Sequence, residues 1–256
     1  MKIATWNVNS IRARLDRLLA WLSEHQPDVL CLQEIKVEAS GFPIGPLAAL
    51  GYEAVVAGQR SYNGVAILSK EPLREVRAGL DDGHDDVQAR LIGGTLGDVR
   101  IECVYMPNGS AVPSDKYDYK LKWMGRFGEH LARHYAADQK LLVCGDFNVA
   151  PEPIDVYDPT GWVNEPIFHV EARNALHRIA GFGLLDVVRE RNPEPGLYSY
   201  WDYRLNAFSK GEGLRIDHIF CTPSLAKLCT SAGIDRASRK GKAPSDHAAL
   251  IATFDL

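Results

Sequence analysis

The chain has no GxGxxG turn after a strand and no GxxxxGK[ST] loop, which removes the usual dinucleotide and P-loop sites. It has no GxSxG elbow either, so serine-type hydrolysis has no visible nucleophile. No apolar run approaches the ~20 residues that span a bilayer. The N-terminal MKIATWNVNS has no extended apolar segment after its lysine, so neither a membrane contact nor a signal peptide is expected. There is no repeat of fixed period and no low-complexity tract. Cysteine is sparse and odd in number, with 5 residues, and Cys31, Cys103, Cys144 and Cys221 sit inside apolar runs. That usage fits buried thiols in a reducing compartment better than a disulfide framework or a paired zinc spacing, so a cytoplasmic location is expected. A net charge of −4 gives no global pull toward nucleic acid, though it leaves room for a local basic surface.

What remains is an ordinary globular composition, 46% apolar and 24% charged, over 256 residues. A β-rich chain of this length often forms one domain, and we expect one over residues 1–256, monomeric by default. Apolar runs predict strands at MKIATWN, DVLCLQE, YEAVVA, GVAILS, VQARLIGG, VRIECVYM, LLVCGDFN, RIDHIFC and AALIATFDL. Ser10 is placed to cap a helix reaching about His25, with Ile11, Leu15, Leu18, Leu19 and Leu22 on one face. Pro113 to Ala137 reads as a long helix with a break near Gly125, and Glu171 to Ala180 as another. Asn63-Gly64 and the glycines from Gly93 to Gly97 read as hairpin turns. The strands fall in two neighbouring clusters with their own helices. This suits an α+β fold of two packed sheets flanked by helices, rather than a doubly wound α/β protein.

Several apolar runs end in polar groups: Trp6-Asn7, Gln33-Glu34, Asp146 with Asn148, and Asp246-His247. A strand that is apolar almost throughout is buried on both faces, and polar groups beyond its tip lie on the sheet rim. Each has an ordinary reading alone: Glu34 a strand-end acid paired with Lys36, Asn7 a turn former, Asp146 part of a Gly145-Asp146 turn, Asp246 a cap before the last strand. Their joint occurrence with Asp217 argues for one site. Carboxylates, amides and one histidine without cysteine suit Mg²⁺, or Mn²⁺, working on a phosphoryl group. Charge runs are ordinarily solvated faces. They occur at Asp81, Asp82, Asp85 and Asp86, at Arg12, Arg14 and Arg17, and at Arg236, Arg239, Lys240 and Lys242 just before Asp246-His247.

TWNVNSIRAR, LQEIK, VYMPNG, GDFNVAP, SYWDYR, RIDHI and SDH stand in this order from residue 4 to residue 247. In this the chain resembles the exonuclease III-type apurinic/apyrimidinic endonucleases of the endonuclease–exonuclease–phosphatase superfamily. The resemblance implies a DNase I-like four-layer α/β sandwich with two mixed β-sheets. It also implies a Mg²⁺-dependent DNA-repair nuclease that cuts 5′ to abasic sites and trims 3′ ends of double-stranded DNA. Glu34 then resembles the principal metal ligand, with Asn7 and Asp246 near the ion. Asp146, held by Asn148, looks like the group that orients or deprotonates the attacking water. His247 would bond the scissile phosphate with Asp217 fixing its tautomer, and Tyr105 and Asn108 would lie against that phosphate. In a two-metal description Asp146, Asn148 and His247 also count as ligands.

SYWDYRLNAFSKGEGLRID resembles the loop that walls a pocket for an extruded abasic sugar, implying Tyr200, Trp201, Leu214 and Ile216 as walls and Arg204 on a DNA-facing loop. Departures from the family pattern are Ile35, Tyr200, Ala248-Ala249 and GWVNEPIFHVEAR, none of which removes a polar catalytic group. Two other readings stand beside this one: a phosphatase or phosphodiesterase for a small or lipid phosphate, and a nucleic-acid-binding protein without catalysis. His218, next to Asp217 on a strand, points to the opposite face and is expected to be structural.

Overall fold

The computed structural model describes residues 1–256. In chain order the elements are β1 (Lys2–Asn7), α1 (Ile11–His25), β2 (Val29–Gln33), α2 (Ile44–Ala48), β3 (Glu53–Ala57), β4 (Val65–Ser69), β5 (Arg74–Ala78), β6 (Leu91–Leu96), β7 (Val99–Tyr105) and α3 (Asp115–His134). There follow β8 (Leu141–Asp146), α4 (Pro159–Trp162), α5 (Val170–Ala180), β9 (Leu185–Asp186), α6 (Val187–Arg191), α7 (Ala207–Lys210), β10 (Asp217–Cys221), α8 (Pro223–Ala226), β11 (Cys229–Asp235) and β12 (Ala249–Phe254).

The strands form two six-stranded sheets, β11-β12-β1-β2-β4-β3 and β5-β6-β7-β8-β10-β9. Only β1–β2 and β7–β8 pair in parallel, so both sheets are mixed. The period-2 alternation of side chains separates the layers. Ile3, Cys31 and Ile67 of one sheet meet Ile101, Cys103, Cys144 and Ile219 of the other in a shared core. Ala4, Leu30, Leu32 and Leu68 face outward onto α1, while Leu141, Val143 and Phe220 face outward onto α3 and α5. The order is helix, sheet, sheet, helix, the sandwich implied by the sequence resemblance. All five cysteines are buried and free, and no helix is long and apolar enough to cross a membrane.

Local chemistry sets the helices. Ser10 accepts from Ala13 N at 3.4 Å to start α1, whose buried face is Ile11, Leu18, Trp21 and Leu22. Ser114 caps α3, with Asp115 and Asp118 in the first turn and Arg133 and His134 in the last, each complementing the helix dipole. This helix is shorter than the sequence reading and continues through Gly125. Its apolar stripe packs against α5 and carries it past Gly125 and Gly128. Gly93 and Gly94 lie inside β6 rather than in a turn. Gly93 stands where a Cβ would collide with the buried Glu102 side chain, so the strand needs it there. Leu184 to Arg189 holds the two-residue β9 and the first three residues of α6.

Sheet register brings the polar tips together. Tyr105 and Asp217 are both partnered with Asp146, and Asn7 with Gln33. The ends of both parallel pairs therefore open on one rim. Gly145 makes this possible: it has φ +144, and a Cβ there would overlap the Val104 backbone carbonyl. Backbone cannot yield as a side chain does, so Gly145→Ala is expected to destabilise the fold by about 3 kcal/mol and to shift Asp146. A urea midpoint unchanged from wild type would contradict this packing.

Candidate active site

Asn7, at the end of β1, is the hub of the rim. Its Nδ2 donates to Glu34 Oε1 at 2.9 Å and to Asp146 Oδ2 at 2.8 Å, so one amide joins carboxylates from the two sheets. Glu34 has φ +50 and Asn148 φ +51, left-handed conformations that ordinary side chains avoid. Such outliers persist where surrounding bonds enforce them. Here Asn148 N donates to Asp146 Oδ1 at 2.8 Å, and Asn148 Nδ2 donates to Asp146 Oδ2 at 3.2 Å and to Met106 O at 2.9 Å. Asn108 Nδ2 in turn donates to Asn148 Oδ1 at 3.1 Å.

Across from this carboxylate lies His247. Its Nδ1 is 2.8 Å from Asp217 Oδ2, which places the Nδ1–H toward that carboxylate and turns Nε2 to Asp146 Oδ2 at 3.8 Å. Ser199, which the sequence reading missed, donates to Asp217 Oδ2 at 2.7 Å and accepts from Ile216 N and Asp217 N. No spacing rule marks a serine on a loop as the orienter of a carboxylate 18 residues away. The Trp6 indole donates to His247 O at 3.1 Å, and Ser245 Oγ donates to Asn7 O at 2.6 Å.

The electrostatics follow from burial and these neighbours. Burial pushes Asp146 up, the His247 charge opposes it, Asp217 and Glu34 add to it, and the carboxyl stands at about 7. Burial works against charge on His247, but Asp217 and Asp146 outweigh it and the imidazole is pushed up to about 10. Glu34 is held below its usual range: burial raises it, and the Lys36 charge with the Asn7 and Lys36 bonds more than offsets that. Burial, with the charges of Glu34 and Asp146, pushes Tyr105 well up, so its hydroxyl remains a donor. The Arg90 guanidinium lies 4.9 Å from the Tyr105 ring centre and fixes it from behind.

One atom each of Glu34, Asp146 and His247 lie within 4.8 Å of one another, the only grouping of this kind in the chain. A hard cation suits the two carboxylates, to which Asn7 offers its Nδ2 while its Oδ1 accepts from Asn9 N at 2.9 Å. The donor set thus fits a divalent oxygen-seeking ion. Asp246 is not in the trio. It is half-buried, and its Oδ1 accepts from Asn9 Nδ2 at 3.0 Å. Asn9 Oδ1 takes Lys36 Nζ at 2.6 Å, and Lys36 pairs with Glu34 Oε2 at 2.8 Å, so Asp246 connects to Glu34 through a polar chain.

A cavity of about 540 Å³ adjoins the histidine, lined by Tyr157, Trp162, Tyr200, Arg204, Leu205 and Leu214 among others. The Tyr200 ring centre is 5.0 Å from that of His247. Two expected wall residues lie elsewhere. Trp201 is buried among Ala207 and Ala248 with Arg236 over its ring, and Ile216 is buried in an apolar layer beneath the cavity with Phe168 and Val156. Alternation explains Trp201, which points to the side opposite Tyr200; Ile216, two residues on from Leu214, shares its apolar cluster but does not reach the cavity lining. Arg204 lies at the exposed rim, where Nη2 meets Asp202 Oδ2 at 2.6 Å.

The other charge runs are largely tied to the fold. Asp82 and Asp86 pair with Arg126 of α3. Arg239 is buried against Tyr203 and Phe208, and Arg17 holds the carbonyls of Ser238, Lys240 and Lys242. His218 faces the helix side of its sheet, accepts at Nδ1 from the buried Arg215 at 2.9 Å and donates from Nε2 to Val149 O at 2.9 Å. The Arg215 cluster with Asp155 and Asp186 was missed from sequence, where RID reads as the start of a strand.

The sequence matches the Endonuclease/Exonuclease/phosphatase family over residues 4–247. It is 34% identical to exodeoxyribonuclease III of Haemophilus influenzae, over 99% of this chain and 100% of that one. The fold superposes on an AP endonuclease from Archaeoglobus fulgidus with a TM-score of 0.97 at 42% identity, covering 100% of both chains. It superposes on a 3′ phosphatase, NExo, from Neisseria bound to product DNA hairpin with a TM-score of 0.95 at 38% identity, again over 100% of each. With motif order, fold and whole-chain similarity in agreement, the chain belongs to the endonuclease/exonuclease/phosphatase family, in its exonuclease III-type branch of hydrolytic DNA-repair nucleases.

Proposed function

We propose that this site hydrolyses phosphodiester bonds of double-stranded DNA on the 5′ side of abasic sites and removes nucleotides or blocking groups from 3′ ends. The observation that carries the reading is the facing pair: Asp146, locked by Asn7 and Asn148, opposite His247, locked by Asp217. In-line hydrolysis needs an aligned water on one side of phosphorus and charge stabilisation around it. Asp146 holds the water and takes its proton. His247 donates from Nε2 to a non-bridging oxygen, and Tyr105 and Asn108 contact the same group. Tyr200 and Leu214 in the cavity wall receive the abasic sugar, which has no base to unstack and so costs less to extrude.

Glu34 with Asn7 and Asp146 would hold Mg²⁺ or Mn²⁺, with Asp246, Asn148 and His247 as further ligands in a two-ion arrangement. When bound, the ion polarises the phosphoryl oxygen and offsets charge on the leaving oxygen. Cation binding favours the ionised carboxylate, so it displaces the proton held on Asp146. With that carboxyl at about 7, binding of one Mg²⁺ by Glu34, Asn7 and Asp146, with His247 left unligated, should release protons near pH 6 and almost none at pH 9. Calorimetry in buffers of different ionisation enthalpy reads this directly; equal release at both values would contradict it.

A duplex oligonucleotide bearing one abasic site tests the function. Incision 5′ to the site with Mg²⁺, and none with EDTA, is expected. Hydrolysis of a small phosphate ester without incision would favour the phosphatase reading, and DNA binding without any hydrolysis the non-catalytic one.

A further inference from the structure

Helix α3 carries a lysine on the face it turns inward. Lys120 shares the 3–4 spaced stripe of Tyr117, Met124, Phe127 and Leu131, and is itself fully buried. Its Nζ lies 3.1 Å from Asn108 O, 2.7 Å from Asn148 O and 3.0 Å from Pro166 O. An ammonium has three N–H donors and no acceptor, so these carbonyls engage all of them. Burying a cation with no carboxylate partner is costly. A leucine or methionine would serve the stripe at no such cost, so the three carbonyls, not the stripe, account for a lysine at this position.

Each carbonyl belongs to a different loop of the site. Asn108 follows β7 and bonds the Asn148 side chain. Asn148 follows β8 and fixes Asp146. Pro166 precedes Ile167 and Phe168 in the apolar layer beneath the cavity. Room for the lysine stem comes from Gly109, at φ +98, where a Cβ would lie 3.0 Å from Lys120 Cδ and 3.1 Å from Pro166 Cβ. The left-handed Asn148 is thus held at its carbonyl by Lys120 and at its side chain by Asn108.

We propose that Lys120 is a positioning residue for hydrolysis: its ammonium pins the Asn148 loop to the Asn108 and Pro166 loops, so that Asn148 keeps Asp146 aimed at the attacking water and in register with the cavity. The proposal rests on the nuclease reading, in which Asp146 and Asn148 handle that water. Lys120 touches no reacting atom and acts through Asn148.

A double-mutant cycle of Lys120→Met and Asn148→Ala tests this, read as single-turnover incision of a saturating abasic duplex, with duplex affinity measured in EDTA. Lys120→Met should lower the rate by ~10²-fold, the effect of a misplacement near 1 Å. Its DNA affinity should stay within about 3-fold, and the double variant should fall no more than about 3-fold below Asn148→Ala alone. A lysine that merely supports the fold would give losses that multiply, and that outcome overturns the proposal. So does a wild-type rate in Lys120→Met. If the methionine variant does not fold, the same cycle is run with Lys120→Gln, which retains donors for two carbonyls, and the same two outcomes decide. A wild-type protein inactive on abasic DNA would overturn the nuclease reading itself; an active wild type with multiplying losses overturns the Lys120 proposal alone.

Discussion

Asp146→Asn is expected to lower kcat for abasic-site incision by ~10²–10⁴-fold, the scale for losing a positioned proton-transfer group. Asparagine keeps the size of the side chain, so the Asn148 backbone bond to the position survives. What changes is the ability to accept a proton from water, and the charge facing His247. The Asn7 Nδ2, which now donates to Asp146 Oδ2, would also meet an amide N–H of the new residue unless that group turns. Single-turnover kinetics on folded protein check this; a rate within threefold of wild type, by an order-of-magnitude standard, removes Asp146 from the chemistry.

His247→Ala should cost a similar ~10²–10⁴-fold, for a different reason. The imidazole is pushed up to about 10 by Asp217 and Asp146 against its burial, so it is cationic below that value. Alanine deletes a charge-assisted donor aimed at the phosphate and leaves Asp217 and Asp146 without their shared counter-charge. The loss should therefore appear in kcat, with a smaller effect on KM. The sign of the pH effect on stability follows too. A histidine raised from 6.5 to about 10 adds stability fully present below pH 6.5 and lost as pH rises through 10. Metal-free wild type should hence lose its stability margin over His247→Ala across that window, measured by urea midpoints at pH 6 and pH 10. A margin that grows with pH would contradict the assignment.

The strand tips were legible in the sequence because buried strands read as unbroken apolar runs, so Asn7, Glu34, Asp146 and His247 stood out as polar breaks. Which tips meet was not legible from the runs. It depends on β12 returning beside β1 and β10 lying beside β8, and ordered motifs supplied that where local patterning does not. Trp201 beside Tyr200 shows the opposite case. An aromatic pair at a strand edge signals one residue in and one out, and only the packing says which. Lys120 was within reach, since a charge on an apolar helical stripe breaks the pattern. Ser199 was not, because a hydroxyl that orients a carboxylate from another loop leaves no spacing behind.

In the proposed reaction the attacking oxygen comes from a water lying between Asp146 and the phosphate. Incision of the abasic duplex in water labelled with heavy oxygen, followed by mass spectrometry of both fragments, tests it most directly. One labelled oxygen is expected in the 5′-terminal phosphate of the downstream fragment and an unlabelled 3′-hydroxyl on the upstream one. Strand cleavage with an unsaturated sugar at the 3′ end and no label in the phosphate would mean elimination rather than hydrolysis, and would contradict it.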